Sequence, residues 1–282
     1  MVVTPFSVEG KIDLHSQLNL IDYLVNQGAR TFWMFGSGGE DWELSAEERL
    51  RVATGIAQTK RFDDCNFIYG LGNLPFRVSL SLASELCGIG ANSVHYIQSM
   101  RILKPAAVYW QYQRLKQIAG LHLFGYFSDN YSRPFQPNEW LDAELPGTLD
   151  GLKLSTSNLE NLAIALNTYG PSFVIPAKAK QFYMSLQLGA RCTTSIEANV
   201  SLRELNAVFD NFCINRQDLA LKSQEAFDAR ASRFRSQTGL ANFMNITEIK
   251  YWLYCNKIIK SSECSPLLLP LTESEKHEIG QI

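Results

Sequence analysis

The sequence lacks a surplus of charge of either sign. Lys and Arg total 26, Asp and Glu total 28, and the formal net charge is -2. There is no basic excess to neutralise a phosphate backbone, which argues against a dedicated nucleic-acid binder. No apolar run approaches the roughly 20 residues that a membrane helix needs. The first ten residues contain no cationic stretch followed by an apolar one, so no signal peptide is expected and the expected compartment is the cytoplasm. The six cysteines (65, 87, 192, 213, 255 and 264) include no CxxC pair. They read as buried free thiols in a reducing compartment. The four histidines (His15, His95, His122 and His277) form no HxxxH pair and lie near no Cys pair, so no metal site is expected. What the chain does have is bulk. At 282 residues and 46% hydrophobic it is long enough for a full core and too apolar for disorder.

Short apolar, β-rich runs recur, each followed by a helical pattern. They are Val2–Thr4, Thr31–Phe35, Asn66–Tyr69, Ser93–Ile97, His122–Phe127, Leu152–Leu154, Phe173–Ile175 and Cys192–Ile196. Several show little polar alternation, as expected of strands buried on both faces. Ser45-Ala-Glu-Glu48 spells a capping box, and Pro75, Pro105 and Pro137 sit where helices begin. Alternating strand and helix implies a parallel sheet with right-handed crossovers. Eight such units over about 215 residues predict an α/β fold, a (β/α)8 TIM barrel, with a doubly wound open sheet as the rival. After residue 215 the strand signals stop. Helices are expected over 217–234, 246–259 and 272–282, giving a barrel over 1–215 and a C-terminal helical extension over 216–282 packed on it.

Two segments carry candidate chemistry. Phe35-Gly-Ser-Gly-Gly-Glu40 follows a predicted strand, and its glycines would let backbone N–H groups approach an anion, with the Ser37 hydroxyl as a further donor. It lacks the Lys-Ser/Thr of a Walker loop, and a plain strand-to-helix turn is the competing reading. Gly151-Leu-Lys153 places a lysine at the C-terminal end of an apolar strand, the end that forms the active-site face of a barrel. A lysine in a barrel mouth is desolvated, which disfavours its charged form and favours attack on a ketone to give a Schiff base. A lysine whose head reaches solvent is the alternative. Tyr126, near the end of the preceding strand, could relay a proton, or could simply be a core aromatic.

Taken in order, these residues resemble the dihydrodipicolinate synthase / N-acetylneuraminate lyase family of class I aldolases. Val3-Thr4-Pro5-Phe6, Gly10 and Ile12-Asp13 are similar to its opening. Gly36-Ser-Gly-Gly-Glu40, Leu44-Ser45 and Glu48-Arg49 resemble its loop for a 2-keto acid carboxylate. Gly70-Leu-Gly-Asn73, Gly151-Leu-Lys153, Gly189-Ala190, Ser195 and Ala198-Asn199 follow at family spacing.

The resemblance implies a homo-oligomeric barrel, a tetramer or dimer, that binds pyruvate or another 2-keto acid as an imine on Lys153. No metal or organic cofactor is implied, because the lysine imine is the electron sink. Tyr126 is the implied acid/base. Ser37, Gly38 and Thr194 are the implied carboxylate-binding set. Gly-Ser-Gly-Gly-Glu is closer to aldolases of 2-keto-3-deoxy sugar acids than to typical synthases, with Gly38 replacing a second hydroxyl. The chain departs from the family at Phe124-Gly-Tyr126, where a one-residue bulge decides whether Tyr126 supplies the phenol or Phe124 has replaced it. It departs again at Gln98–Pro105, which lacks the family's Pro-Tyr-Tyr, and at Lys178, which either makes the mouth more cationic or begins a helix. The arginine that synthases use for a second carboxylate has no clean match, Asn130 and Arg133 being nearest. The expected activity is a Schiff-base lyase releasing or adding pyruvate. The alternatives are dihydrodipicolinate synthase and a catalytically impaired binder of a keto acid.

Overall fold

The computed structural model describes residues 1–282 apart from 99, 101, 131, 133, 141–144 and 236–244. Its elements in chain order are α1 (Leu14–Val25), β1 (Thr31–Met34), α2 (Ala46–Thr59), β2 (Asn66–Gly70), α3 (Phe76–Gly88), β3 (Ser93–Ile97), α4 (Pro105–Lys116), β4 (His122–Ser128), α5 (Pro137–Trp140), α6 (Leu145–Thr148), β5 (Gly151–Ser155), α7 (Leu159–Tyr169), β6 (Val174–Pro176), α8 (Phe182–Gln187), α9 (Ala198–Cys213), α10 (Gln217–Ser232), α11 (Ile246–Cys255) and α12 (Glu273–Gly280). Strands and helices alternate as the patterning predicts, and the α/β class holds.

By compactness the chain divides into two units. One comprises Met1–Glu43, Asp64–Asn66 and Ile196–Ile282; the other comprises Leu44–Asp63 and Phe67–Ser195. In the second unit β2 to β6 pair in parallel in chain order. The β3–β4 and β4–β5 ladders run without a bulge: Ile97 stands opposite Tyr126, and Tyr126 opposite Lys153. Because side chains alternate along a strand, 124, 126 and 128 share one face with 151, 153 and 155. The other face packs on helices. A Cβ on Gly125 would meet Leu149, Leu152 and the Tyr112 hydroxyl of α4, and Phe127 stacks edge-on against Trp140, 4.7 Å between centroids. The Ser45–Glu48 capping box forms as predicted, with Glu48 N–H donating to Ser45 Oγ (3.2 Å) and Ser45 N–H to the Glu48 carboxylate (3.0 Å).

In the first unit, α1 is capped by Asp13, whose carboxylate accepts from Ser16 N–H at 3.1 Å. Leu20, Ile21 and Leu24 of α1 are buried, as are Phe32 and Trp33 of β1. The three C-terminal helices appear within the predicted ranges as α10, α11 and α12. The Arg230 guanidinium of α10 donates to the Val200 carbonyl of α9 at 2.9 Å.

Two expectations need correction. Residues 2–4 and 192–196 are not strands. Val2 N–H reaches the Trp33 carbonyl (3.0 Å), and Val3 N–H, which an extended chain aims at its other neighbour, is taken by the Asn199 side chain (3.3 Å). Thr194 N–H reaches the Pro176 carbonyl (3.0 Å), but Pro176 has no N–H with which to extend the pairing. The thiols are free but not deeply buried: Cys213 and Cys255 are exposed and the other four half-buried. No helix among the described residues is long and apolar enough to cross a membrane.

Candidate functional site

Lys153 sits mid-strand in β5 with 1% of its surface exposed, and Tyr126, opposite it in β4, with 4%. The Lys153 amine lies over the Tyr126 ring, 3.8 Å from its centroid. The unbroken register sets Tyr126, and not Phe124, opposite Lys153. Phe124 shares the face but stands opposite Gly151, where a Cβ would lie 2.7 Å from the Phe124 ring. Glycine at 151 is therefore the counterpart of Phe124. With 1% of its surface exposed, the Lys153 head does not reach out to solvent.

His95 was not singled out from sequence, because a lone histidine in an apolar strand carries no spacing signal. It is fully buried in β3, and its ring meets that of Tyr126 edge-on at 6.4 Å. Its strand neighbour Tyr96 faces the other way. The Tyr96 hydroxyl bonds Gln111 of α4 (3.3 Å) and Gln98 (3.1 Å), and burial pushes its phenol up to about 12. Tyr96 therefore offers no proton relay on the Lys153 face.

The Gly-Ser-Gly-Gly-Glu segment lies in the first unit as a short 3-10 turn, Ser37–Gly39, with Ser37 buried at 2% exposure. Gly39 N–H donates to the Gly36 carbonyl (2.8 Å) and Glu40 N–H to that of Ser37 (3.2 Å). A Cβ on Gly38 would press on the Met1 methyl (2.5 Å) and on the Ile196 side chain (2.9 Å), so those side chains would have to shift to admit it. Glu40 follows with φ +56°, in the left-handed region that few non-glycine residues occupy. Its buried carboxylate pairs with the buried Lys250 amine of α11 at 2.5 Å.

Thr194, in the second unit, is half-buried in the segment after α8. Thr193 Oγ1 and Thr194 N–H both donate to the Pro176 carbonyl (3.1 and 3.0 Å). Lys178 precedes a 3-10 turn, Ala179–Gln181, which fits the helix-start reading. Asn130 is exposed in a turn after β4, and Arg133 lies outside the described residues. No group of three or more His, Cys, Asp or Glu among the described residues could hold a metal ion.

Residues 1–100 match the model of the dihydrodipicolinate synthetase family. A 4-hydroxy-tetrahydrodipicolinate synthase of Lactobacillus acidophilus is 23% identical over 243 residues, 79% of this chain and 72% of its own. An N-acetylneuraminate lyase of Sus scrofa is 31% identical over 104 residues, 36% of this chain and 32% of its own. Among solved structures, dihydrodipicolinate synthase from Aquifex aeolicus superposes with a TM-score of 0.87 at 17% identity, covering 99% of this chain and 95% of that one. A prophage protein of the dihydrodipicolinic acid synthase family from E. coli K12, solved in complex with pyruvate, gives 0.86 at 19% identity, covering 99% and 96%. The chain is therefore similar to the dihydrodipicolinate synthase and N-acetylneuraminate lyase family, carrying the family's sequence signature in residues 1–100 and its fold along the whole length.

Proposed function

We propose that this chain is a class I aldolase that makes or breaks a carbon–carbon bond of a 2-keto acid, with pyruvate as product or donor. The observation that carries the reading is the buried Lys153 amine, 3.8 Å above the Tyr126 ring on adjacent in-register strands. Burial penalises a free ammonium, while an aromatic face favours a cation. A site with both properties suits a neutral amine that attacks a ketone and becomes a protonated imine. The iminium then draws electrons from the neighbouring carbon–carbon bond, which breaks to an enamine. Tyr126 is assigned the acid/base role, moving the proton of the reacting hydroxyl. Ser37, Gly38 and Thr194 are assigned to the substrate carboxylate, an assignment supported by the family resemblance. The lysine imine supplies the electron sink, so the reading calls on no metal or organic cofactor.

Finer parts of this proposal are a closed eight-stranded barrel over 1–215 with a helical extension over 216–282, a homo-oligomer and a cytoplasmic location. The full-length likeness to solved relatives supports the barrel. Gly38 in place of a hydroxyl residue favours a 2-keto-3-deoxy sugar acid over the synthase substrates. The test is borohydride reduction in the presence of pyruvate, followed by intact mass. A pyruvyl adduct on Lys153, together with aldol cleavage that Lys153→Ala abolishes, is expected. An adduct without cleavage of any tested sugar acid would favour a keto-acid binder. Condensation with aspartate semialdehyde would favour the synthase.

A further inference from the structure

Two sequence motifs of the first unit meet at a residue outside both. The Lys250 amine of α11 is fully buried. It pairs with Glu40 at 2.5 Å, donates to the Glu263 carbonyl at 2.9 Å and lies 4.1 Å from the centroid of the Phe6 ring. Glu40 ends the Gly-Ser-Gly-Gly-Glu motif, and Phe6 ends the Val-Thr-Pro-Phe opening. The second Glu40 oxygen accepts from Ser265 N–H at 2.5 Å. Thr4, from the opening motif, donates its hydroxyl to the Gly39 carbonyl at 2.7 Å. The Ser37–Gly39 turn is thus held at Gly39 and at Glu40, the residue that follows it, by groups from both ends of the chain.

This arrangement has a specific physical consequence. A left-handed backbone at a non-glycine residue is strained and persists only where its surroundings over-determine it. At Glu40 the side chain meets an ammonium and a backbone N–H, and both side chains of the ion pair are 0% exposed. A buried carboxylate held by one amine and one amide has little freedom, and its Cα inherits that restriction. We propose that Lys250 is a positioning residue, whose buried pair with Glu40 holds the Ser37–Gly39 turn in the conformation that receives the substrate carboxylate. The proposal rests on the keto-acid reading above for its functional consequence, and on the ion pair alone for its structural one.

Lys250→Met by itself leaves a buried charge without its partner, which threatens folding. The double variant Glu40→Gln/Lys250→Met removes both charges and keeps an acceptor for Ser265 N–H, so it is the principal test. Amide exchange of peptides covering residues 36–43 is expected to quicken about tenfold or more, with α9 and α10 unchanged. Pyruvate-dependent borohydride labelling of Lys153 is expected to reach its wild-type amplitude, but with a half-saturating concentration raised about 10- to 100-fold, the scale of a misplaced binding group. A merely structural pair would instead lower the amplitude and quicken exchange throughout the unit. Either that pattern or wild-type exchange at 36–43 overturns the proposal. Absence of any Lys153 adduct in the wild-type protein would sink the keto-acid reading, while the exchange result would still decide the role of Lys250.

Discussion

Replacing Tyr126 in two ways separates the two jobs assigned to it. Tyr126→Phe keeps the ring face 3.8 Å from the Lys153 amine and removes only the hydroxyl. Tyr126→Leu removes both. A desolvated cation over an aromatic face is worth about 1–2 kcal/mol, and at 1.36 kcal/mol per decade this corresponds to roughly 5- to 30-fold in the imine equilibrium. The expectation is that Tyr126→Phe forms the borohydride-trapped pyruvyl adduct within about threefold of wild type, whereas Tyr126→Leu is weaker by that 5- to 30-fold factor. Carbon–carbon cleavage, which needs the phenolic proton, should fall about 10²- to 10⁴-fold in both. Trapping is read by intact mass against pyruvate concentration, and cleavage by pyruvate release from a 2-keto-3-deoxy sugar acid. Equal trapping by the two variants would show that the ring face contributes nothing to the cation. Full cleavage by Tyr126→Phe would remove the hydroxyl from the mechanism.

Two further outcomes follow from the packing and charge around the strands. Gly125→Ala puts a Cβ 2.7 Å from Leu149 and within 3.4 Å of Leu152 and the Tyr112 hydroxyl, so it should cost about 1–3 kcal/mol in urea unfolding. Gly88→Ala, at the end of α3 with no atom within 4 Å of the new methyl, should be neutral or stabilising by up to about 1 kcal/mol. Comparable losses in the two would contradict the packing argument. Asp150 supplies a pH test. Burial alone would raise its carboxyl, but the Lys116 ammonium at 2.5 Å and Leu123 N–H at 2.7 Å outweigh it and hold the group below its ordinary value. A depressed folded value means the stabilisation is present above the ordinary carboxylate range and is lost as pH falls through the folded value. Urea midpoints measured from pH 7 down to pH 2 should fall less steeply for Asp150→Asn than for the wild type, and parallel curves would refute the assignment.

Six of the eight strand signals were legible because each is an apolar, β-rich run whose ends carry Gly, Pro or a polar residue. The two that failed share a cause. Local pattern at Val2–Thr4 and Cys192–Ile196 favours extended chain, but a ladder needs backbone partners in register, on alternate residues for each neighbour. Asn199 intercepts Val3 N–H, and Pro176 has no N–H to offer. Lys153 and Tyr126 could be placed on neighbouring strands from the sequence, yet only the register of β4 on β5 shows which aromatic stands opposite the lysine. His95 and Lys250 were invisible for a different reason. Each meets a partner far away in sequence or on another strand, and a single chain gives no spacing signal for such a pair. The exposed thiols of Cys213 and Cys255 show the same limit, since helix ends were read as interior.

The alternation along β4 and β5 has a consequence for how such a protein could change. Odd and even positions answer to separate masters. Residues 125, 127, 152 and 154 are bound by the packing of surrounding helices, where a single added methyl at 125 already collides. Residues 124, 126, 128, 151, 153 and 155 look the opposite way and share no neighbours with the first set across the ladder. New specificities can therefore accumulate on one face of two adjacent strands while the scaffold is kept by the other, and libraries confined to 124, 128 and 155 should yield altered ligand preference at little loss of fold.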